Sequence, residues 1–236
     1  MTKLCFDYGH GGADPGAVYN GRKEAADVLS LGREVAEEMR KHGITVDETR
    51  TADTTVDLTK RSAFANRQNY DYFISFHRNA FKPETGTGTE TYVYINAAEK
   101  TKALADKIQK ALVSVGFVNR GVKVGNFHVL RETTAPAVLI EIGFIDNTQD
   151  NALFDRKREE IIKGISKAIL SHLGIKSIEE IEFEKDDLTK ALDLLMGKGI
   201  INSPGYWLEN ALAGKTVNGE YAAILIKRMA ALIQLK

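Results

Sequence analysis

Residues 3–8 read Lys-Leu-Cys-Phe-Asp-Tyr, and the glycine-rich segment Gly9–Gly12 follows, with His10 inside it. A short, mostly apolar run that ends at glycines predicts a buried β-strand. Ligands of open α/β sheets bind outside the carboxyl ends of the strands, so polar residues at these ends should converge. Two later runs of the same kind also end at a polar residue: Tyr72–Phe76 at His77, and Ala137–Ile140 at Glu141.

Strand-like and helix-like segments alternate from residue 3 to residue 173. The first helical segment, Ala25–His42, repeats apolar residues close to the helical period, and Gly43 ends it. Strands separated by helices form βαβ units, so the alternation predicts an α/β fold with a mainly parallel twisted sheet flanked by helices. The other predicted helices are Asp57–Asn69, Ala97–Val115 and Asn151–Leu173, and the other predicted strands are Thr45–Thr49, Thr91–Ile95 and Phe127–Leu130.

The sequence pattern changes after Gly174. Ser177–Asp187 is acidic, as a solvated connector or a first helical turn would be. Three short helices are predicted beyond it, and Ser203 with Pro204 has the pattern of an N-cap followed by proline at the first helical position. We therefore expect one domain over residues 1–174 and a small all-helical C-terminal module over residues 178–236. The helical segments of this module are Leu188–Met196, Ser203–Trp207 and Tyr221–Leu235.

Composition excludes several classes of protein. The 236 residues are 43% hydrophobic and 27% charged, which suits one good core with a small appendage. Lys plus Arg is 32 and Asp plus Glu is 32, so nothing indicates a nucleic-acid footprint. No apolar run approaches the ~18 residues of a membrane span, so we expect no membrane insertion. The chain begins with a strand, so we expect no signal peptide in it. We expect a protein that either stays cytoplasmic until it is released or is secreted with a leader that is absent here.

Four residues carry the candidate chemistry: His10, Glu24, His77 and Glu141. Glu24 lies just past the glycine-rich loop, on the first helix. A catalytic zinc ion takes three His or carboxylate ligands and leaves one position for water, and two His with one Glu is a known set. One acid is then left to carry a proton. Glu141 suits this role, because it ends the most apolar strand, where burial would raise its pKa. A single histidine at a strand end is more often structural, and the joint placement favours the site.

Three other motifs fail. In Gly9–Asp14 the third glycine of a dinucleotide-binding fingerprint is replaced by Asp14. Ser75 lies two residues before His77, but no G-x-S-x-G elbow surrounds it. The helix-borne zinc motif H-E-x-x-H does not occur in the sequence.

Four separated segments, in this order, resemble the zinc-dependent N-acetylmuramoyl-L-alanine amidases of the Amidase_3 type. They are Phe6–Ala17 (FDYGHGGADPGA), Glu24, Ser75–Ala80 (SFHRNA) and Pro136–Asn147 (PAVLIEIGFIDN), within a match over residues 3–173. The resemblance implies that His10, Glu24 and His77 hold one zinc ion and that Glu141 is the catalytic acid and base. It implies cleavage of the amide between the lactyl group of N-acetylmuramic acid and L-alanine in peptidoglycan. Arg78 replaces the small residue expected after the second histidine, which bears on the shape of the groove.

Two features leave alternatives open. Asn79 follows the second histidine closely, and either hydrogen-bonds substrate or supports its neighbours. Lys198–Trp207 is similar to segments of cell-wall lytic proteins of Gram-positive bacteria and their phages, so we expect the C-terminal module to bind cell wall. Alternatively, Tyr206 and Trp207 pack the core of that module, as aromatic residues at helical spacing usually do.

The favoured interpretation is therefore a cell-wall hydrolase that acts on peptidoglycan, of the phage or prophage endolysin kind. A host autolysin or spore-lysis amidase is the second interpretation. A zinc carboxypeptidase-like peptidase acting on stem peptides would use the same zinc, water and glutamate. A non-catalytic peptidoglycan-binding relative would be expected to lose a ligand or Glu141, and none of these residues is lost.

Overall fold

The computed structural model describes residues 2–211 and 215–234, without the side chains of residues 179–185 and 231–234. Six of its strands form a mostly parallel sheet. The strands are β1 (Lys3–Tyr8), β4 (Thr45–Glu48), β5 (Tyr72–Asn79), β6 (Thr89–Val93), β7 (Asn119–Val124) and β8 (Ala137–Phe144), and a short hairpin supplies β2 (Val18–Tyr19) and β3 (Arg22–Lys23). The strand order is β4-β1-β5-β8-β6-β7, and the β6–β8 pair is antiparallel.

Helices cover both faces of this sheet, as the predicted fold class requires. They are α1 (Glu24–Lys41), α2 (Leu58–Ala65), α3 (Glu99–Val115), α4 (His128–Arg131), α5 (Thr148–Arg156) and α6 (Arg158–Leu173). Side chains alternate across a strand, so Phe6 packs in the larger apolar cluster with α1, α3 and α6. Cys5, one residue earlier, packs in the smaller cluster with α2 and α4. The prediction of a mainly parallel α/β sheet flanked by helices is confirmed.

The sequence assigned some segments wrongly. Phe127–Leu130 was predicted as a strand, but a helix begins at His128 and turns Val129 and Leu130 into the smaller cluster. A four-residue apolar run cannot distinguish a strand from a buried helical turn. The edge strand is β7 instead, whose glycine and charged residues gave no apolar signal. The predicted helix Asn151–Leu173 is two helices, α5 and α6, because the chain turns at Lys157.

The chain divides into two compact units, Met1–Ile175 and Lys176–Lys236. The second unit contains α7 (Ile178–Gly197), α8 (Pro204–Asn210) and α9 (Gly219–Gln234). Leu192, Ile200 and Ile201 form its buried centre, and Trp207 packs against them. The acidic segment therefore lies at the start of a helix, α7. Outside the described part of the structure lie Leu235, the end of the last predicted helix, and the side chains of Glu179, Glu180, Glu182 and Glu184. Within the described ranges, no helix combines the length and apolarity needed to cross a membrane.

A buried ion pair joins the end of β1 to α2. Arg61 Nη1 lies 2.8 Å from Asp7 Oδ1, and both side chains are almost fully buried. Burial alone would raise the pKa of Asp7, but Arg61 and hydrogen bonds from Thr49 and Ser75 hold it below its usual value. Arg61 also donates to the carbonyl oxygens of Tyr8 and His10, at 2.5 and 2.6 Å. The pair therefore fixes the path of the chain where it leaves the sheet.

Arg61→Met should lower the free energy of unfolding of the full chain by about 3–5 kcal/mol, because it leaves the Asp7 carboxylate buried without its cation. Chemical denaturation followed by circular dichroism measures the change. Arg131→Met is the matched control, since Arg131 forms an exposed pair with Glu132 and such pairs contribute little. Equal destabilisation by the two substitutions would contradict a special role for the buried pair.

Candidate metal centre

His10 occupies a constrained turn directly after β1. Its φ is +61°, a left-handed conformation that residues other than glycine seldom adopt. The glycines around it permit close packing: a Cβ at Gly9 would lie 2.2 Å from the His77 ring, and one at Gly16 would lie 2.6 Å from the His10 ring. Backbone strain of this kind concentrates at functional sites, where the surrounding structure maintains it.

Three of the predicted site residues come together above the ends of β1 and β5. One potential ligand atom from each of His10, Glu24 and His77 lies within 4.8 Å of the others, which makes them a possible metal-binding group among the described residues. Glu24 Oε2 is 3.2 Å from His10 Nε2, and Glu24 Oε1 is 2.8 Å from His77 Nδ1. Glu24 is the first residue of α1, so the start of this helix brings its carboxylate between the two imidazoles.

The electrostatics of the cluster fit a cation. Burial alone would lower the pKa of His10, but Glu24 and Asp14 raise it to about 9. Burial likewise opposes charge on Glu24, yet the two histidines hold its pKa well below the usual range. Two imidazoles and one carboxylate, with space for water beside them, are a donor set that suits catalytic zinc. A bound divalent cation would replace the protons that the histidines carry, so its affinity should fall as the pH falls.

Asp14 is a contributor that the sequence did not single out. Its Oδ2 lies 2.8 Å from His10 Nδ1, which leaves His10 Nε2 facing Glu24. A carboxylate on the far nitrogen of a ligating histidine fixes the tautomer and the orientation of the ring. The available signal was the replacement of a fingerprint glycine by an acidic residue four positions after His10.

Glu141 lies beside this cluster, on β8, where it is paired in register with His77 of β5. Its Oε2 is buried and has no hydrogen-bond partner among the described residues. Burial raises the pKa of Glu141 to about 8, against the opposing effect of His77. The group can therefore carry a proton near neutral pH, which general acid–base chemistry requires.

The two residues after His77 lie on opposite sides of the strand. Arg78 is turned into the core, where it pairs with Asp27 at 2.6 Å and lies over the Phe154 ring at 4.2 Å. The Arg78 side chain therefore lies on the face of the strand opposite His77. Its contribution to the shape of the groove comes from its backbone, whose N–H donates to Glu24 at 3.1 Å. Asn79 donates to Glu90 Oε2 at 3.2 Å and accepts from the Ala80 N–H, so its contacts within the chain are supporting ones.

A groove of about 660 Å³ contains the cluster and Glu141. Thr55–Leu58 and α2 border one side, and Phe127–Val129 border another. The volume is that of a ligand pocket for a small molecule or a short polymer segment.

Comparisons with known proteins show which proteins this chain is similar to. The family model described as N-acetylmuramoyl-L-alanine amidase matches residues 4–171. The chain is 42% identical over 155 residues to the N-acetylmuramoyl-L-alanine amidase CwlM of Bacillus licheniformis, covering 64% of this chain and 59% of that protein. It is 36% identical over 186 residues to an endolysin of Bacillus phage SPP1, covering 75% of this chain and 68% of the endolysin. The chain therefore spans less than two thirds of the length of the first relative.

The fold has a solved counterpart. The catalytic domain of CwlV, an N-acetylmuramoyl-L-alanine amidase from Bacillus (Paenibacillus) polymyxa var. colistinus, superposes with a TM-score of 0.70 at 34% identity. The superposition covers 75% of this chain and 100% of that domain.

His10→Ala, Glu24→Ala and His77→Ala should each abolish stoichiometric zinc binding, because two remaining ligands cannot compete with water. Asp14→Asn should weaken zinc affinity by about 10–100-fold while keeping all three ligands. Metal content per chain after dialysis against zinc measures both effects. His172→Ala is the control, since His172 contacts Tyr72 instead of the cluster. Full zinc content in an alanine variant would remove that residue from the ligand set.

Proposed function

This chain belongs to the N-acetylmuramoyl-L-alanine amidase family, and from that premise we propose that it hydrolyses peptidoglycan with one zinc ion held by His10, Glu24 and His77. The bond cleaved is the amide between the lactyl group of N-acetylmuramic acid and L-alanine. Its relatives include both a bacterial amidase and a phage endolysin. The proposal therefore concerns the reaction, and a phage endolysin and a host autolysin would both perform it.

The observation that carries the proposal is the buried, unpartnered Oε2 of Glu141 beside the His10–Glu24–His77 cluster. When bound there, zinc would polarise the scissile carbonyl and promote ionisation of water. Glu141 would accept the proton of the attacking water at Oε2 and pass it to the leaving nitrogen of alanine. Because no hydrogen bond from the described residues occupies this oxygen, it is free to take the proton. Exclusion of water around Glu141 strengthens its interaction with the reacting groups.

The experiment that tests the reaction is mass spectrometry of peptidoglycan digested by the zinc-loaded protein. An amidase releases stem peptides with an L-alanine amino terminus. A carboxypeptidase-like peptidase would instead leave shortened peptides on the glycan, and that result would overturn the proposal.

Glu141→Gln should lower turnover by about 10²–10⁴-fold, because it removes the proton carrier and keeps the shape of the side chain. Zinc content and thermal stability should stay close to those of the unsubstituted protein. Release of L-alanine-terminated peptides from soluble fragments measures the rate. Activity within a few-fold of the unsubstituted protein, with zinc bound, would show that another group carries the proton.

We also propose that residues 178–236 bind cell wall. In this unit a cavity of about 270 Å³ is bordered by Tyr206, Trp207, Tyr221 and Arg228. The Tyr206 and Tyr221 rings lie 4.6 Å apart, and Tyr221 is half exposed. Aromatic rings that combine an apolar face with a polar edge are suited to binding surfaces, and sugars present matching faces. Trp207 has a packing role as well, since it contacts the buried centre of the unit.

A chain that ends at Ile175 should cleave soluble muramoyl peptides at close to the full-length rate, because residues up to this point form a compact unit. Its lysis of intact walls should be slower, since a tethered binding module raises the local enzyme concentration at an insoluble substrate. Turbidity loss of wall suspensions, compared with cleavage of soluble fragments, measures the difference. Equal wall lysis by both chains would contradict the binding role.

A further inference from the structure

A second cavity, of about 410 Å³, opens beside the main groove and shares Asn79 and Ala80 with it. Glu90, Arg120 and Lys123 of β6 and β7 border it. The function described above uses none of these three charged residues.

A row of paired residues across the sheet runs from the reaction centre to this second cavity. Glu141 is paired with His77 on one side and with Glu90 on the other. Residues directly opposite each other on adjacent strands project from the same face. With neighbouring strands ~4.8 Å apart, Glu90 lies two strands, or roughly 10 Å, from His77. A substrate that reacts at Glu141 can therefore reach the second cavity.

The charges around Glu90 do not balance. Its buried carboxylate accepts from Arg120 Nε, from Tyr92 Oη and from Lys123 Nζ at 2.7 Å. Burial alone would raise the pKa of Glu90, but Lys123, Tyr92 and Arg120 lower it to about 2. One cation would neutralise this carboxylate, whereas two are present, with side chains 39% and 38% exposed. The cavity therefore carries an excess positive charge at its surface.

Two contacts orient the Arg120 guanidinium so that it can bind an anion. Its guanidinium lies over the Phe144 ring at 5.0 Å, and its Nε is bonded to Glu90. In the described part of the chain, the terminal nitrogens Nη1 and Nη2 have no hydrogen-bond partner. A guanidinium fixed in this way presents a planar pair of donors that matches a carboxylate.

At the opposite end of the main groove, no described residue offers such a group. Thr55–Leu58 contributes the acidic Asp57 there. The Arg61 guanidinium at that end is already engaged by Asp7 and by backbone carbonyl oxygens. One end of the groove is therefore positively charged and the other is acidic. A substrate with a neutral part and an anionic part should bind with its anionic part toward β7.

We propose that Arg120 and Lys123 bind the α-carboxylate of the D-glutamate that follows L-alanine in the stem peptide. This assignment rests on the proposed function, since it takes a muramoyl peptide as the substrate. The glutamate is linked through its side chain, so its α-carboxylate is free unless the cell wall carries it as an amide. Two extended residues span ~7 Å, which is enough to cross the ~4.8 Å between the neighbouring strands of Glu141 and its partner Glu90, the carboxylate that Arg120 and Lys123 contact.

The test uses two disaccharide tetrapeptides that differ only at the glutamate, with its α-carboxylate either free or amidated. The zinc-loaded full chain should cleave the free acid with a KM about tenfold lower and a similar kcat, because a charge-assisted hydrogen bond is lost in the amide. Arg120→Gln and Lys123→Gln should each raise KM for the acid toward that of the amide. Neither should change KM for the amide. Arg158→Gln is the matched control, because Arg158 pairs with Glu34 and should leave the preference intact.

The outcomes separate the two proposals. No L-alanine-terminated product from either substrate would contradict the amidase function itself. Cleavage of both substrates with equal KM would overturn the carboxylate site and leave the amidase function standing. A fall in kcat on both substrates in the Arg120 variant, without a change in preference, would make Arg120 a structural support for Glu90. If the Arg120 variant does not fold, the proposal is still tested by the unsubstituted chain and by Lys123→Gln. The measurement is again KM for the free acid compared with KM for the amide.

Discussion

The candidate site depends on how the end of β1 is held. Beyond Tyr8 the chain turns, and His10 adopts a left-handed conformation. The carbonyl oxygens of Tyr8, Gly9 and His10 accept hydrogen bonds from arginine side chains. Arg50 donates to the Tyr8, Gly9 and Ala25 carbonyl oxygens, and Arg61 donates to those of Tyr8 and His10. Two buried cations in one place need a nearby anion, and Asp7 provides it. This arrangement links the turn, α1 and α2 into one rigid corner.

From this corner the other parts of the site follow. Arg50 joins the Gly9 and Ala25 carbonyl oxygens, so the His10 loop and the first turn of α1 are held in one geometry. Glu24, at the start of that helix, is thereby kept against both imidazoles, and backbone N–H groups of Ala17 and Arg78 also donate to its carboxylate. A ligand set held by backbone hydrogen bonds is preorganised, so binding an ion requires little rearrangement.

The sequence was sufficient for the parts of the fold that rest on long, buried patterns. β1, β5 and β8 are apolar runs that end at polar residues, and α1 buries the predicted Val28, Leu31, Val35 and Met39. The polar strand β7 was missed, because its Asn-Arg-Gly-Val-Lys-Val sequence forms an edge that needs no apolar run. Arg50 and Arg61 act through hydrogen bonds to residues that are distant in the sequence, such as Tyr8 and His10. Local sequence patterns carry no information about such contacts.

Glu141 and Glu90 show how neighbouring carboxylates can be given different chemistry. They are direct partners on adjacent antiparallel strands, so they share one face of the sheet. Glu90 accepts from four side chains and its pKa is lowered to about 2, whereas Glu141 Oε2 has no donor and burial raises its pKa to about 8. Environments that separate the pKa values of two adjacent acids assign one to carry a proton and the other to remain ionised. The permanent charge of Glu90 also raises the pKa of Glu141, so the acid that anchors the two basic side chains makes its neighbour a stronger proton acceptor.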